Sequence, residues 1–554
     1  MKKIVFGIML IMLLVSIMTL TLNIQTATAS LPVHNVDTGE DFLTIQAAID
    51  APETLDGHTI YVEDGHYYEQ VKVYKSLKLI GENRYNTIID AEGKGTVVHV
   101  TAGNVNISEF TIQNSGQGLF DGMGVLLDGD MVVFEGHSHG NIIENNIIQY
   151  NERDILVWYS NNNTIRNNVL RYSTEGYTLY VWYATGNNIV NNYIYHRGIG
   201  LVQSGGNTFR NNVMAQFAVS GWSLNDYLND VDISNEVSGK PIYYWVNEHN
   251  RQVPADAGVV VVVNSTCIIA IDLTFVNVGD GMIFAYTNDS LITNIASQRA
   301  SYGIRLDFSN NNTVKGNRVS DNMLGIFLSH SENNSVTGNT AKGNSWAGIF
   351  LGSSNGNDIH NNIMQSNGDT GMSLEMSRDN TIAQNTIAYN GFQGDYYPAG
   401  MSFFNSPNNT IYHNNFVENI MQVSRHSGEA VASINSWDDG YPSGGNYWSD
   451  YEDKYPDAKE IDDSGIWDTP YVIDEQNQDR YPLMKPYVPL LGDFDEDRDI
   501  DEYDVWIFCA YFITYHKYGF RPEMRLFDFN NNSKIDENDL WTFCAAFIDY
   551  WKHH

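Results

Sequence analysis

NTVKGNRVSDNMLGIFLSHSEN, residues 312–333, is followed at once by NSVTGNTAKGNSWAGIFLGSSNG, residues 334–356. Both stretches open on Asn, carry a second Asn five residues on, and end near GIFL. The opening recurs as NIIENNI from Asn141, NTIRNNV from Asn163, NNIVNNYI from Asn187 and NTFRNNV from Asn207. It returns later as NDIHNNI from Asn357, NTIAQNTI from Asn380 and NTIYHNNF from Asn409. The later starts, from Asn312 to Asn409, are spaced 22, 23, 23 and 29 residues apart. A second marker keeps step: GMIF at Gly281, GIRL at Gly303, GIFL at Gly325 and Gly348, GMSL at Gly371 and GMSF at Gly400. Both markers show the last, longer step, so it is one insertion inside one unit, around FQGDYYPA (residues 392–399).

Each unit has short runs of period two, broken by Asn and Gly turns, with no helical periodicity. A unit of this size cannot bury its apolar face alone and must stack on its copies as a solenoid. Parallel stacking at roughly 4.8 Å per coil sets like residue above like, so Ile and Val fill the interior and Asn forms hydrogen-bonded ladders. About a dozen or more coils between Gly57 and Asn419 would make a rod roughly 60–70 Å long. The amides and the sequons Asn311-Asn312-Thr313 and Asn408-Asn409-Thr410 also admit a glycan reading, but turns and ladders account for them.

The repeats, the entry DFLTIQAAID from Asp41, the runs GHTIYVEDGHYYEQVKV and LKLIGENRYNTIIDAEGKGTVVHV, and GKPIYYWVNEHNRQVPADAGVVVVV from Gly239 resemble the secreted right-handed parallel β-helix proteins. Within these the chain is most similar to the NosD-type branch common in archaea. The resemblance covers roughly residues 36–486, including GGNYWSDYEDKYPDAKEIDDSGIWDTPYVIDEQNQDRYPLMKP at its end. It implies an all-β, pectin-lyase-like fold; after a signal peptide over 1–29, read from the N-terminal residues, come the β-helix over 30–443 with an irregular excursion near 215–255 and a capping segment over 444–486. It fixes no function, because the fold hosts lyases, hydrolases, esterases, epimerases and non-enzymes. Phe42, Ile45, Ala48 and Ile49 share a helical face that would cover the first coil's open edge.

The opening MKKIVFGIMLIMLLVSIMTLTLNIQTATAS reads as a secretory signal with a small-residue cleavage site, or as an uncleaved anchor. The mature chain then reads as secreted or cell-surface. A formal net charge of −36 argues against nucleic-acid binding. Three cysteines, Cys267, Cys509 and Cys544, are too few for a disulfide framework.

Within the solenoid, the residues eight and six before each repeat Asn are apolar and point inward: Ile155 and Val157, Leu179 and Val181, Ile304 and Leu306, and so on to Met372 and Leu374. Those seven and five before should then face solvent on the same sheet. There stand Leu156 and Trp158, Tyr180 and Trp182, Arg305 and Asp307, Phe327 and Ser329, Phe350 and Gly352, Ser373 and Glu375. Trp158 and Trp182 fall in one register, and exposed aromatics there would stack on sugar rings or be covered by a loop or the 215–255 excursion. Trp158, Tyr180, Trp182, Arg305, Asp307, Phe327 and Phe350 are therefore the candidate substrate-binding residues. Asp307 and Glu375, the only carboxylates in that register, lie three coils or about 14 Å apart, against the roughly 5–9.5 Å of glycosidase pairs. No catalytic pair is assigned. His137 and His139 in FEGHSHGN would suit copper by type, but with only Glu135 beside them they read as a solvated turn.

The end of the chain is different in kind. Between Asp438 and Asp504 there are 21 carboxylates against five Lys or Arg. GDFDEDRDIDEYD (492–504) aligns with a calcium loop: Asp493, Asp495, Asp497, Asp499 through its carbonyl, Asp501 and Asp504. FDFNNNSKIDEND (527–539) repeats it with Asp528, Asn530, Asn532, Lys534 through its carbonyl, Asp536 and Asp539. Ile500 and Ile535 sit at position eight, where they can pair the loops. Each loop runs into an apolar helix, DVWIFCAYFITY or DLWTFCAAFIDY. Arg498 and Ser533 replace the usual Gly at position six, and Asp replaces Glu at position twelve. Residues 491–551 of a unit spanning 491–554 resemble a tandem EF-hand-like dockerin, which implies two Ca2+ ions, calcium-dependent folding and docking to a cohesin-type or cell-surface partner. Cys509 and Cys544 share one position of the two copies, where they either form a disulfide or are small buried apolar residues. PYVPLLGD (486–493) leaves little linker.

The leading reading is an exported β-helix that binds polysaccharide or glycoconjugate and docks through calcium loops. The alternatives are a polysaccharide lyase, hydrolase or epimerase, and a structural cell-envelope scaffold.

Overall fold

A computed structural model describes residues 31–118, 120–129, 138–392, 398–425, 428–488, 502–518 and 534–553. The signal stretch and most of the two acidic loops therefore lie outside the described residues. The chain is an all-β solenoid of the right-handed type, with about 15 turns and few helices. It divides into two compact units, residues 1–214 with 219–230, and residues 215–218 with 231–554.

In the first unit, three strands per turn build three sheets. The first runs from Thr59–Val62 to Thr208–Arg210, the second from Gly65–Tyr68 to Val213–Met214, and the third from Val71–Val73 to Ile199–Val202. Successive strands pair in parallel without register slip, as in Ile143↔Ile165 and Ile165↔Ile189. The unit starts with a short antiparallel sheet, Val33–Asn35 against Glu40–Phe42, and a helix, Ile45–Asp50. Thr44 caps that helix by accepting from Ala47 N, and Ile45, Ala48 and Ile49 are buried. Phe42 is not part of the helical face expected of it, because it ends the strand Glu40–Phe42.

The second unit repeats the plan. One sheet runs from Lys240–Val246 to Val423–Arg425, a second from Ile269–Ile271 to Thr410–Tyr412, a third from Thr274–Val276 to Tyr447–Trp448. Much of the stretch near 215–255 is ordinary strand, at Phe217–Ser220, Glu236–Val237 and Lys240–Val246, with a short helix at Leu224–Tyr227.

The Asn repeats are ladders. Asn317, Asn339, Asn362, Asn385 and Asn414 are buried, and each backbone N donates to the Oδ1 of the next, through to Asn446, at 2.9–3.0 Å. Parallel ladders start at Asn312 and Asn322. In the first unit Asn141–Asn163–Asn187–Asn207 does the same. A buried turn needs every donor and acceptor partnered, and one amide per coil does this on both sides. The glycine marker has an equally local cause. A Cβ on Gly303, Gly325, Gly348 or Gly371 would stand 2.4–2.7 Å from the carbonyl oxygen of the next marker glycine. Only hydrogen fits there.

Beyond Asn414 the last coil closes on aromatics: Trp448 stacks on Phe416 at 4.3 Å and on Tyr471 at 4.1 Å, with Trp437 buried beside them. Separately, helices Glu502–Tyr518 and Glu537–His553 pack around Phe508, Ile535 and Phe543. No described helix is long and apolar enough to cross a membrane.

Candidate functional site

The inward residues of the third sheet, Ile155, Val157, Leu179 and Val181, are fully buried. The outward columns pair Leu126↔Leu156↔Tyr180 and Asp128↔Trp158↔Trp182. This face is not the open aromatic surface that alternation alone implies. Leu156 is buried with Met123 and Leu126, and Trp158, Tyr180 and Trp182 pack half-buried over them. Phe120, from the turn after Gly118, leans on Trp158 at 4.6 Å. Large side chains one coil apart shield each other, which strict alternation does not predict. Burial also pushes the Tyr180 hydroxyl above its ordinary range.

One position further on, the backbone turns left-handed. Tyr159 and Tyr183 have φ of 49° and 52° and stack face to face at 4.7 Å and 11°, close to the coil spacing. They join the tryptophans in one ring cluster: Trp158–Tyr159 at 5.4 Å, Trp158–Trp182 at 6.5 Å, Trp182–Tyr183 at 5.8 Å and Tyr180–Trp182 at 5.7 Å. Tyr159 and Tyr183 also wall a cleft of about 630 Å3 that Gln203, Thr185, Asn225 and Asp226 share. Asp226 sits in the short helix Leu224–Tyr227 and accepts from Trp222 N and Ser223 N at 2.9 and 2.8 Å, which fixes that edge. The sequence reading passed over Tyr159 and Tyr183. The signal was present, since Tyr follows Trp in both VWYS and VWYA.

In the second unit the structure brings Arg305, Asp307, Phe327 and Phe350 together on one face. Arg305 Nε lies 2.8 Å from Asp307 Oδ2 and its Nη1 3.7 Å from Asp280 Oδ2. The guanidinium lies over the Tyr302 ring at 4.8 Å, and Phe327 stacks on Tyr302 and meets Phe350, each at 5.3 Å. Sequence register placed Arg305 and Asp307 in solvent, but both are buried, as is Phe350, while Phe327 is half-buried. The reason is that Tyr302 and Asp280 close over the guanidinium. Asp280 was missed because it precedes its strand. Burial, reinforced by Asp307 and only partly offset by Arg305, pushes Asp280 up to about 7. Glu375, coils away, is raised by burial alone.

Of the calcium-loop residues, Asp493, Asp495, Asp497, Asp499, Asp501, Asp528, Asn530 and Asn532 lie outside the described residues, as does the side chain of Asp504. Lys534, Asp536 and Asp539 are described. Asp539 is fully buried, and its Oδ2 accepts from Asp536 N at 2.8 Å, so positions nine and twelve of the second loop are drawn together. Ile535 is fully buried between the helices, and Phe508 stacks on Phe543, its counterpart in the other copy, at 4.8 Å and 9°. Cys509 and Cys544 are free thiols, the first exposed and the second half-buried, so neither the disulfide nor the buried-apolar reading holds.

His137 lies outside the described residues. His139 Nδ1 accepts from Asn161 N at 2.9 Å, a coil-to-coil bond like those of the ladders. Among the described residues no three His, Cys, Asp or Glu side chains converge as a metal site.

The family described as "Periplasmic copper-binding protein (NosD)" matches residues 55–237 and 233–453. The described residues do not fit the copper in that description, since the one described histidine of the pair is committed to the backbone. A cell surface glycoprotein of Methanothermus fervidus is 32% identical over 108 residues, 19% of this chain, and the chain spans 18% of that relative's length. Among solved structures, the periplasmic alginate epimerase AlgG is 15% identical, with 67% of this chain and 73% of that one covered and a TM-score of 0.29. The pectin methylesterase from Yersinia enterocolitica is 14% identical, covering 53% and 90% with a TM-score of 0.20. The family match runs over most of the sequence, in both units, and the chain belongs to the NosD family.

Proposed function

We propose that this is an exported, non-catalytic β-solenoid that binds polysaccharide or glycoconjugate through its first unit and is held to a partner by a calcium-dependent C-terminal module. The periplasmic description of the family and the cell-surface relative support export. One observation carries the binding reading: the ring cluster of Trp158, Tyr159, Tyr180, Trp182 and Tyr183 on adjacent coils borders an open cleft. Large aromatic surfaces beside a wet polar pocket are what a pyranose needs, because its C–H faces are apolar and its rim is hydroxylated.

The docking half rests on the helices. Trp506 and Trp541 occupy equivalent positions of the two copies and are 73% and 72% exposed, with Ile513 and Ile548 two turns further on along the same helical face. Duplicated apolar faces on a small calcium-loop unit support a cohesin-type or cell-surface partner, with two Ca2+ ions holding the loops.

An enzymatic reading would centre on Asp280, Arg305 and Asp307. Their burial makes them a poor fit for substrate and a better one for an internal ion cluster. The test is retention of the mature chain on immobilised polysaccharides, comparing wild type with the Trp158→Ala/Trp182→Ala double variant. Loss of retention in the variant is expected, and equal retention would refute the site.

A further inference from the structure

The geometry points to the cleft between the stacked tyrosines and the Leu224–Tyr227 helix as a subsite for neutral sugars rather than for uronates. This rests on the glycan-binding reading above and narrows it to a place and a chemical class. The cleft volume of about 630 Å3 falls within the roughly 300–1,000 Å3 of ligand sites and suits a short oligosaccharide.

Its walls are unlike in chemistry. On one side Tyr159 and Tyr183 present a rigid stacked pair, held by the left-handed backbone at both positions. Gln203 follows them in the same column, because Trp182 pairs with Val202, and it too is left-handed at φ 50°. Thr185 and Asn225 line the same cleft. The side chains of Thr185, Gln203 and Asn225 take no hydrogen-bond partner among the described residues, whereas the ladder amides beneath take several. A hydroxyl and two amides free to turn, next to flat apolar rings, can serve both donors and acceptors on a sugar rim.

Charge decides the class. Among the described residues no lysine or arginine lines the cleft, and Asp226 is its one carboxylate. Arg305, the cation among the candidate binding residues, is buried between Asp280 and Asp307 in the other unit. A uronate carboxylate would approach Asp226 with no counter-charge, on a chain of net charge −36. That arrangement rejects acidic chains and costs a neutral pyranoside nothing.

The experiment is isothermal titration of the full mature chain with cellohexaose, mannohexaose and chitohexaose, against hexagalacturonate and hexamannuronate at the same concentrations. At least one neutral hexaose should bind with one site per chain, and the uronates should not. Gln203→Ala and Tyr183→Ala should each weaken that binding by about tenfold, and Tyr183→Phe should keep it. Gln203 has no internal partner, so its variant tests the cleft without disturbing the fold. Tighter binding of either uronate, or neutral binding unchanged in both alanine variants, overturns the inference. If polymers are retained through Trp158 and Trp182 while the cleft variants bind normally, the broader reading stands and this one falls. If no glycan binds at all, both fall.

Discussion

Asn362→Ala is the sharpest test of why this chain folds as it does. The Asn362 side chain donates to Val336 O at 2.8 Å, His360 O at 3.0 Å and Asn385 Oδ1 at 3.0 Å. Its Oδ1 accepts from Asn339 N and Asn339 Nδ2, both at 2.9 Å. Alanine deletes all five contacts and strands at least one fully enclosed N–H, that of Asn339. At about 1–3 kcal/mol for each buried group left unsatisfied, and allowing for non-additivity, the loss is on the order of 3–6 kcal/mol. Ser335→Ala, on the outer side of a nearby strand, should stay within about 0.5 kcal/mol. Because a solenoid need not unfold in one step, amide exchange is the better assay beside denaturant unfolding. The Asn339 amide should lose protection. The backbone amide of residue 362 should keep it longer, since its acceptor, Asn385 Oδ1, is untouched. A cost below about 1 kcal/mol with unchanged exchange at Asn339 would refute the ladder as the source of stability.

Two further outcomes follow from the ion cluster and the tail. Asp280, held near 7 when folded and ionising in the ordinary carboxylate range when unfolded, binds its proton more tightly in the native state. Stability should therefore be highest below about pH 4 as far as this group is concerned, and fall by up to about 1.4 kcal/mol per unit as pH rises toward 7. Asp479, also pushed up to about 7 by burial, acts in the same window, so Asp280→Asn should remove only part of the slope in unfolding measured from pH 5 to 8. An unchanged slope would place the proton elsewhere. For the tail, calorimetry should find two Ca2+ ions per chain and one in Asp539→Ala, with chelation melting the helices Glu502–Tyr518 and Glu537–His553 but not the solenoid. Failure to bind calcium at millimolar concentration would sink the docking proposal.

The period of the fold was legible because it is written twice, in the ladder Asn and in the glycine marker, and each has one physical cause. The inward residues were equally plain, since Ile and Leu in strict alternation admit one core face. The outward face was not. Alternation says which way a side chain points, not what leans over it, so Arg305 and Asp307 were placed in solvent although Tyr302 and Asp280 enclose them. Asp280 stands just before the marker Gly281, in register with Tyr302 of the next coil, at a position the inward and outward reading of the strand did not cover. Tyr159 and Tyr183 stand where strand becomes turn, so a period-two reading stops one residue short of them, and the cleft they wall depends on the helix Leu224–Tyr227 that the repeat does not contain.

The central claim is that the aromatic surface of the first unit holds glycan without cutting it. The most direct measurement incubates the mature chain with neutral and acidic polysaccharides in calcium, following retention and polymer length together. Retained neutral polymer of unchanged length, with retention lost in the Trp158→Ala/Trp182→Ala variant, is the predicted result. Shortened polymer would contradict the account and make the chain an enzyme, and neutral polymer that passes through unretained would remove glycan binding altogether.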